Sequence, residues 1–347
     1  MTAGGLSIPV DAPDRRAAFA AHIYSPAHLI ARADQIVNAG YLERCRSGGL
    51  QLTLPQLLYL CAVSANPGGH QAAAARMVGM DTPTGALVIS ALERKGFVER
   101  RESEADKRRK KVYITEKGGI AQARGIVHFA SATHDFMAPI SPADRLRLRA
   151  ILEIIAAHRG ASPPSLCNAD GESVVVPAHL PPEVLPGYLL GRCLQIAVAL
   201  VAPALAPFDL TIRQYVMLAM VSILGPCNLA SLTHAMGSER SSLAIILPAL
   251  EERGLVNVDR GPDRSLTIML TQNGRALLAR ARPAAETANE RVAINLTGAE
   301  RKTFTRTLGG MLERHGKFPW IENITSGSSA AQPAELPPDE NTKPAEN

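Results

Sequence analysis

The stretch whose reading decides the fold is ALERKGFVERRESEADKRRKKVYITEKG, residues 91–118. It begins as the end of a helix with apolar residues at helical spacing, passes Gly96, and continues as two β-prone runs around a charged tip. Thr115 then stands where a helix N-cap belongs. Between Arg100 and Lys111, seven of twelve residues are Lys or Arg. Alone, such a run is an ordinary solvated loop. Between two strands it becomes the tip of a hairpin, and the residues upstream say what that hairpin accompanies.

Upstream, apolar residues recur at helical spacing through QLLYLCAV (56–63), HQAAAARMV (70–78) and GALVISALERKG (85–96), with turn-like breaks at NPGG and GMDTP. Thr82 is expected to cap the third helix with Pro83 at its first position, and Gly96 to close it. Short helices followed by a two-stranded hairpin describe a winged helix-turn-helix. In that arrangement one helix enters the major groove, and the basic run becomes the wing.

The same pattern is written twice. Shifted by 158 positions, LTLPQLLYLCAVS at Leu52 falls on LTIRQYVMLAMVS at Leu210, and ALERKGFV at Ala91 falls on ALEERGLV at Ala249. Residues 52–101 match without a gap, with 14 identities in 50 positions, among them Gln56/Gln214, Gly79/Gly237 and Gly96/Gly254. The second hairpin is LVNVDRGPDRSLTIML, and Thr271 repeats Thr115 at the start of a long helix.

Composition sets limits on the rest. A chain of 347 residues with 46% hydrophobic content can bury two domain-sized cores, and a net charge of +5 with a pI near 9.0 is compatible with a polyanionic partner without requiring one. No secretory start is visible, and the most apolar segment, Cys193–Phe208, reads as too short to span a bilayer, so a soluble cytoplasmic protein is expected. Five scattered cysteines (Cys45, Cys61, Cys167, Cys193, Cys227) lack metal-ligand spacing and read as reduced thiols. No nucleophile, general base, phosphate loop or metal set is present, so neither catalysis nor a cofactor is expected.

These residues together resemble the MarR family of bacterial winged-helix regulators. The resemblance rests on LTLPQLLYL, on GMDTPTGALVISALERKGFVERRESEADKRRKKVYITEKG with Asp106 and Arg108 ahead of ITEKG, and on LTIRQYVML, SSLAIILPALEERGLV and TQNG in the second half. It implies a mainly α fold with small β-hairpin wings: tandem winged helix-turn-helix modules with flanking dimerisation-type helices, forming a pseudo-dimer. The implied organisation is an N-terminal extension (1–23), a first module (24–160), a linker (161–183), a second module (184–318) and a disordered tail (319–347). Flanking helices are expected at 28–45, 121–158, 184–203 and 274–315. A linker of that length spans on the order of 25–30 Å, enough to join the two modules of such a dimer.

What the resemblance implies is a transcriptional repressor of double-stranded operator DNA, acting as a monomeric chain and answering to a small aromatic or phenolic effector. DNA contact is expected from Thr82, Thr84, Gly85, Leu87 and Ser90 on the first recognition helix, and from Arg100, Arg101, Asp106, Lys107, Arg108, Arg109, Lys110 and Lys111 on the first wing. Arg240, Ser241 and Ser242, with Arg260 and Arg264, are their counterparts in the second half. The effector residues are expected on the first helix of each module: Tyr24, His28, Arg32 and Gln35, with Tyr188, Arg192 and Gln195. Some relatives carry a peroxide-sensing cysteine where Cys193 stands, although a buried structural thiol is the plainer reading. The second half departs from the pattern. Ala244, Ile245 and Ile246 occupy its recognition helix, Pro248 is expected to kink it, and Pro262 replaces Asp106, so a ligand-sensing or protein-interaction module with degenerate DNA binding is the competing reading.

Overall fold

The structure, a computed structural model, describes residues 20–102, 110–158, 174–175, 177–236, 240–261 and 266–315. The first half runs α1 (Pro26–Ser47), α2 (Leu54–Ala65), α3 (Gln71–Met77), α4 (Thr82–Arg94), β1 (Val98–Glu102), β2 (Lys110–Ile114), α5 (Glu116–Met137) and α6 (Pro142–Ala156). The second repeats that order as α7 (Leu185–Leu205), α8 (Ile212–Leu224), α9 (Leu229–Met236), α10 (Arg240–Glu252), β3 (Val256–Arg260), β4 (Leu266–Leu270), α11 (Gln272–Val292) and α12 (Gly298–Arg314). Each half has one antiparallel hairpin, with Val98 opposite Ile114 and Val256 opposite Leu270.

The repeated residues have repeated jobs. The Thr53 hydroxyl accepts from the Gln56 N–H (3.4 Å) while the Gln56 side chain accepts from the Thr53 N–H (3.2 Å), a capping box that starts α2. Thr211 and Gln214 make the same pair of bonds at 2.9 and 3.2 Å and start α8. Gly96 (φ 71°) and Gly254 (φ 64°) end the recognition helices in the left-handed region, where a side chain would be strained. After each hairpin, Thr115 and Thr271 cap the next helix and bond back across the hairpin base, their hydroxyls donating to the Gly96 and Gly254 carbonyls at 2.7 and 2.6 Å.

That back-bonding explains the glycine in each TEKG and TQNG motif. A Cβ on Gly118 would lie 1.9 Å from the Phe97 carbonyl oxygen, and one on Gly274 would lie 2.0 Å from that of Leu255. No side chain fits there. The hairpin base, the recognition-helix end and the start of the following helix therefore form one rigid corner in each half.

Several local expectations are corrected. Helix α4 is capped by Asp81, which accepts from the Thr84 N–H at 2.7 Å, so Thr82 is the first helical residue and not the cap. Pro248 lies inside α10, exposed to solvent. The apolar segment read as Cys193–Phe208 is part of a longer helical stretch, Pro182–Phe208, whose length and hydropathy would suffice to cross a bilayer. Half of it is buried inside the protein, and Arg192 is buried along with it. Residues 177–183, read as the end of a linker, bury Leu180 and lead into a short helical turn, Pro182–Val184, that packs against α5. Residues 161–173 and 176 of the expected linker, the 1–19 part of the extension and the tail fall outside the described residues, while Val174 and Val175 pack against the core.

The two halves share one hydrophobic core. Helices α1 and α7 pack on each other, as do α6 and α12, and further contacts between halves come in reciprocal pairs: α6 on α7 with α12 on α1, and α5 on α7 with α11 on α1. Polar bonds reinforce the seam. Asn289 on α11 accepts from the Ala27 N–H at the start of α1 (3.0 Å), Tyr24 donates to Glu313 (2.7 Å), and the His315 ring stacks on Phe136 at 5.3 Å. Gly187 lets α7 approach Phe129 and Thr133 so closely that a Cβ would meet them at 2.5–2.9 Å.

Thr53→Ala and Thr211→Ala are each expected to cost about 1 kcal/mol in urea unfolding. Gly118→Ala, which drives a methyl into a carbonyl, is expected to cost at least about 3 kcal/mol. Equal losses for the capping and glycine variants would contradict the rigid-corner account.

Candidate nucleic-acid interface and effector cavity

The exposed side of α4 carries Thr82, Thr84 and Leu87, with Ser90 half-buried. Gly85, expected among them, is instead buried. A Cβ there would lie 2.6 Å from that of Ala75, so it is the glycine at which α3 and α4 approach each other. In the second half Ala244 and Ile245 are exposed, while the side chains of Arg240, Ser241 and Ser242 lie outside the described residues. At the end of the helix, Glu252 occupies the position that Arg94 holds in α4.

On the hairpins the expected cations divide. Lys110 is exposed and Lys111 partly so, both on β2, whereas Asp106, Lys107, Arg108, Arg109 and Arg264 fall outside the described residues. Arg100 is already engaged. It forms an ion pair with Glu93 on α4, and its guanidinium holds the Glu93 carboxyl below the usual range. Arg101 pairs with Glu99 and lies over the Tyr113 ring at 4.7 Å. Arg260 makes a bidentate pair with Glu251 on α10, both bonds 2.8 Å. The two pairs are equivalent in purpose but not in register, since Glu93 and Glu251 are 158 residues apart and Arg100 and Arg260 are 160 apart. Each fastens a hairpin to the helix before it, Arg100 holding β1 to α4 and Arg260 holding β3 to α10.

Of the residues expected to hold an effector, Arg32 stands close enough to His28, and Arg192 to Tyr188, for their charges to interact. Arg32 donates to Gln35 (2.6 Å) and Arg192 to Gln195 (3.0 Å), a matching pair of contacts along α1 and α7. Tyr188 is buried, and Tyr24 is turned toward Glu313. His28 lines a cavity. That cavity, of about 520 Å³, lies between the start of α1, α7, α8 and α11. Its walls are mostly apolar, Leu194, Val198, Ile212 and Val216 among them, with His22, Tyr215, Arg282, Glu286 and Asn289 as polar points. Tyr215 falls inside the repeated LTIRQYVML segment, but nothing in the sequence distinguishes it from a core residue, and Arg282 and Asn289 lie on an unremarkable polar helix.

The two imidazoles meet edge to face at 5.3 Å. Burial, with Arg282 nearby, pushes His22 down to about 4, and burial together with His22 and Arg32 holds His28 well below the ordinary histidine range. Both are therefore neutral at physiological pH, leaving Arg282 as the cation on the cavity wall. Cys45, Cys61, Cys193 and Cys227 are all buried, and burial raises each thiol, to about 11 for Cys61 and Cys227. Cys193 donates to the Leu152 carbonyl at 3.3 Å, a packing role and not that of an activated thiolate.

A histidine depressed in the folded state binds its proton more readily when unfolded, so its contribution to stability is complete above about pH 6.5 and is lost as pH falls toward 4. His22→Gln is expected to remove part of the acid sensitivity, with wild type losing up to about 3 kcal/mol more than the variant between those limits. Parallel stability curves for the two proteins would overturn this assignment.

Comparison with known proteins converges on one family. The MarR family matches residues 52–110. An uncharacterised HTH-type transcriptional regulator of Bacillus subtilis is 40% identical over 91 residues, a stretch covering 26% of this chain and 57% of that protein. An HTH-type transcriptional repressor of Mycobacterium tuberculosis is 34% identical over 134 residues, covering 38% of this chain and 92% of the repressor. A solved Mycobacterium tuberculosis MarR family protein in complex with p-aminosalicylic acid is 34% identical, with a TM-score of 0.31 over 38% of this chain and 97% of that one. With the helix-turn-helix and hairpin of residues 52–114 in place and a repressor matched along nine-tenths of its length, this chain belongs to the MarR family of DNA-binding transcriptional regulators.

Proposed function

We propose that this chain is a transcriptional repressor in which two MarR-like modules form an intramolecular pseudo-dimer on one double-stranded operator. The observation that carries this reading is the reciprocal packing between the halves, α6 on α7 with α12 on α1, around the α1–α7 contact. Each half supplies a helix to cover the other, as the two subunits of an isologous dimer do. Each module presents a recognition helix, α4 or α10, with a hairpin fastened beside it. Phosphate contact in the first half falls to Lys110, Lys111 and the tip residues Lys107, Arg108 and Arg109. The second module grips less firmly, since Glu252 replaces Arg94 and Pro262 replaces Asp106.

The effector site is the cavity beside His28. Its apolar walls suit an aromatic ring, Arg282 suits a carboxylate or phenolate, and Asn289 and Tyr215 supply hydrogen bonds. Because α8 belongs to the winged unit and α1, α7 and α11 to the helices around it, a molecule lodged between them biases the angle at which α10 is offered to DNA.

Light scattering on a sizing column is expected to return the single-chain mass of 36.9 kDa. A tethered partner has an effective concentration in the millimolar range, so pairing within the chain precedes pairing between chains. A stable two-chain species at low micromolar concentration would refute the pseudo-dimer.

DNA titrations at several salt concentrations test the interface. Lys110→Ala with Lys111→Ala is expected to weaken binding on every sequence and to reduce the slope of log affinity against log salt by about one for each phosphate no longer neutralised. In the same titration, p-aminosalicylic acid serves as the effector probe and is expected to release wild-type DNA complexes but not those of Arg282→Gln. An unchanged slope would remove the lysines from the interface, and release that ignores Arg282 would remove the cavity.

A further inference from the structure

Among the described residues, the two most exposed large hydrophobic side chains are Leu87 and Ile245, at 75% and 77%. They are 158 residues apart, which is the period of the repeat, so they occupy the same point on the two thirteen-residue helices α4 and α10. An isolated exposed aliphatic is ordinary. Two of them, at one repeated position on helices otherwise related by only a minority of identities, indicate a shared task.

The neighbouring residues narrow that task. Thr84, Leu87, Ala91 and Arg94 fall at i, i+3, i+7 and i+10 on one side of α4, with Leu87 near the middle. The stripe contains no Asn, Gln or Lys, and its single Arg lies at the far end. On α10 the positions after Ile245 are Ala249 and Glu252. Neither helix centre carries a group able to bond two atoms of one base edge. In the major groove, the feature that an aliphatic side chain recognises without hydrogen bonding is the C5 methyl of thymine.

Resting on the DNA-binding reading above, we propose that Leu87 and Ile245 are specificity-determining residues, each packing against the C5 methyl of one thymine in its half-site. The second module thus keeps its base reader while its hold on phosphate is reduced. Leu87 and Ile245 then mark corresponding bases in the two half-sites, about one helical turn of DNA or a multiple apart.

The test uses the full chain and duplexes selected for binding from a randomised pool. Each thymine of a selected site is replaced in turn by deoxyuridine, which removes only the methyl. One thymine per half-site is expected to lose affinity about 4-fold on replacement, the value of one buried methyl group. Leu87→Ala is expected to abolish that sensitivity in one half-site and Ile245→Ala in the other, with melting unchanged because both side chains are exposed. Binding that persists with no uracil-sensitive position, or with sensitivity untouched by either variant, overturns the inference and leaves the DNA-binding reading standing. No selected duplex at all overturns both. A change of mass on a sizing column with Leu87→Ala, without a change in uracil sensitivity, would mean that the face packs against a second copy of the chain and also overturns it.

Discussion

The packing of α1 against α7 is the contact on which everything else rests. Each is a long helix whose winged unit can cover only one of its sides, and the remaining apolar side is closed by the other half of the chain. Burial of Leu29, Ile30, Leu189, Leu190 and Ile196 along these helices fixes where α5 and α11 lie. Those helices in turn receive the hairpin corners at Gly118 and Gly274, and the corners set the direction of α4 and α10. The direction of α4 and α10 is thus determined by the hydrophobic seam between the halves.

Within each half a second, smaller constraint operates. The hairpins are held to their recognition helices by one ion pair apiece, and the two halves reach that pair from different strand positions, Arg100 in one and Arg260 in the other. Both pairs are partly exposed, so their energetic worth is modest. Their role is angular: they hold the hairpin against the helix so that both can lie on one duplex.

Most of the fold was legible in the sequence because its signals are local. Thr-x-x-Gln spacing, glycine at helix ends and alternation in short strands each act within a few residues, and the repeat at a shift of 158 doubled the signal. The cavity beside His28 was not legible, because a cavity is a property of packing between helices far apart in the chain. Tyr24 bonds across the seam to Glu313, and Arg32 and Arg192 bond along their own helices to Gln35 and Gln195, while Arg282 and Asn289 give no local hint of lining a cavity. Gly85 was misplaced for a related reason, since helix periodicity identifies a face but not which small residue on it is pressed against a neighbouring helix. The ion pairs of Arg100 and Arg260 were not legible because their acidic partners lie on another element, seven and nine residues upstream.

Writing the two copies into one chain frees them from each other. In a regulator assembled from identical subunits, any change in a recognition helix appears at both half-sites at once, and occupancy of the target falls with the square of concentration once the subunits separate. Here Arg94 and Glu252 differ at one equivalent position, and so do Leu87 and Ile245. On the proposed pseudo-dimer reading, such a chain can follow a target whose two halves drift apart in sequence, and its occupancy falls only linearly as the cell dilutes it.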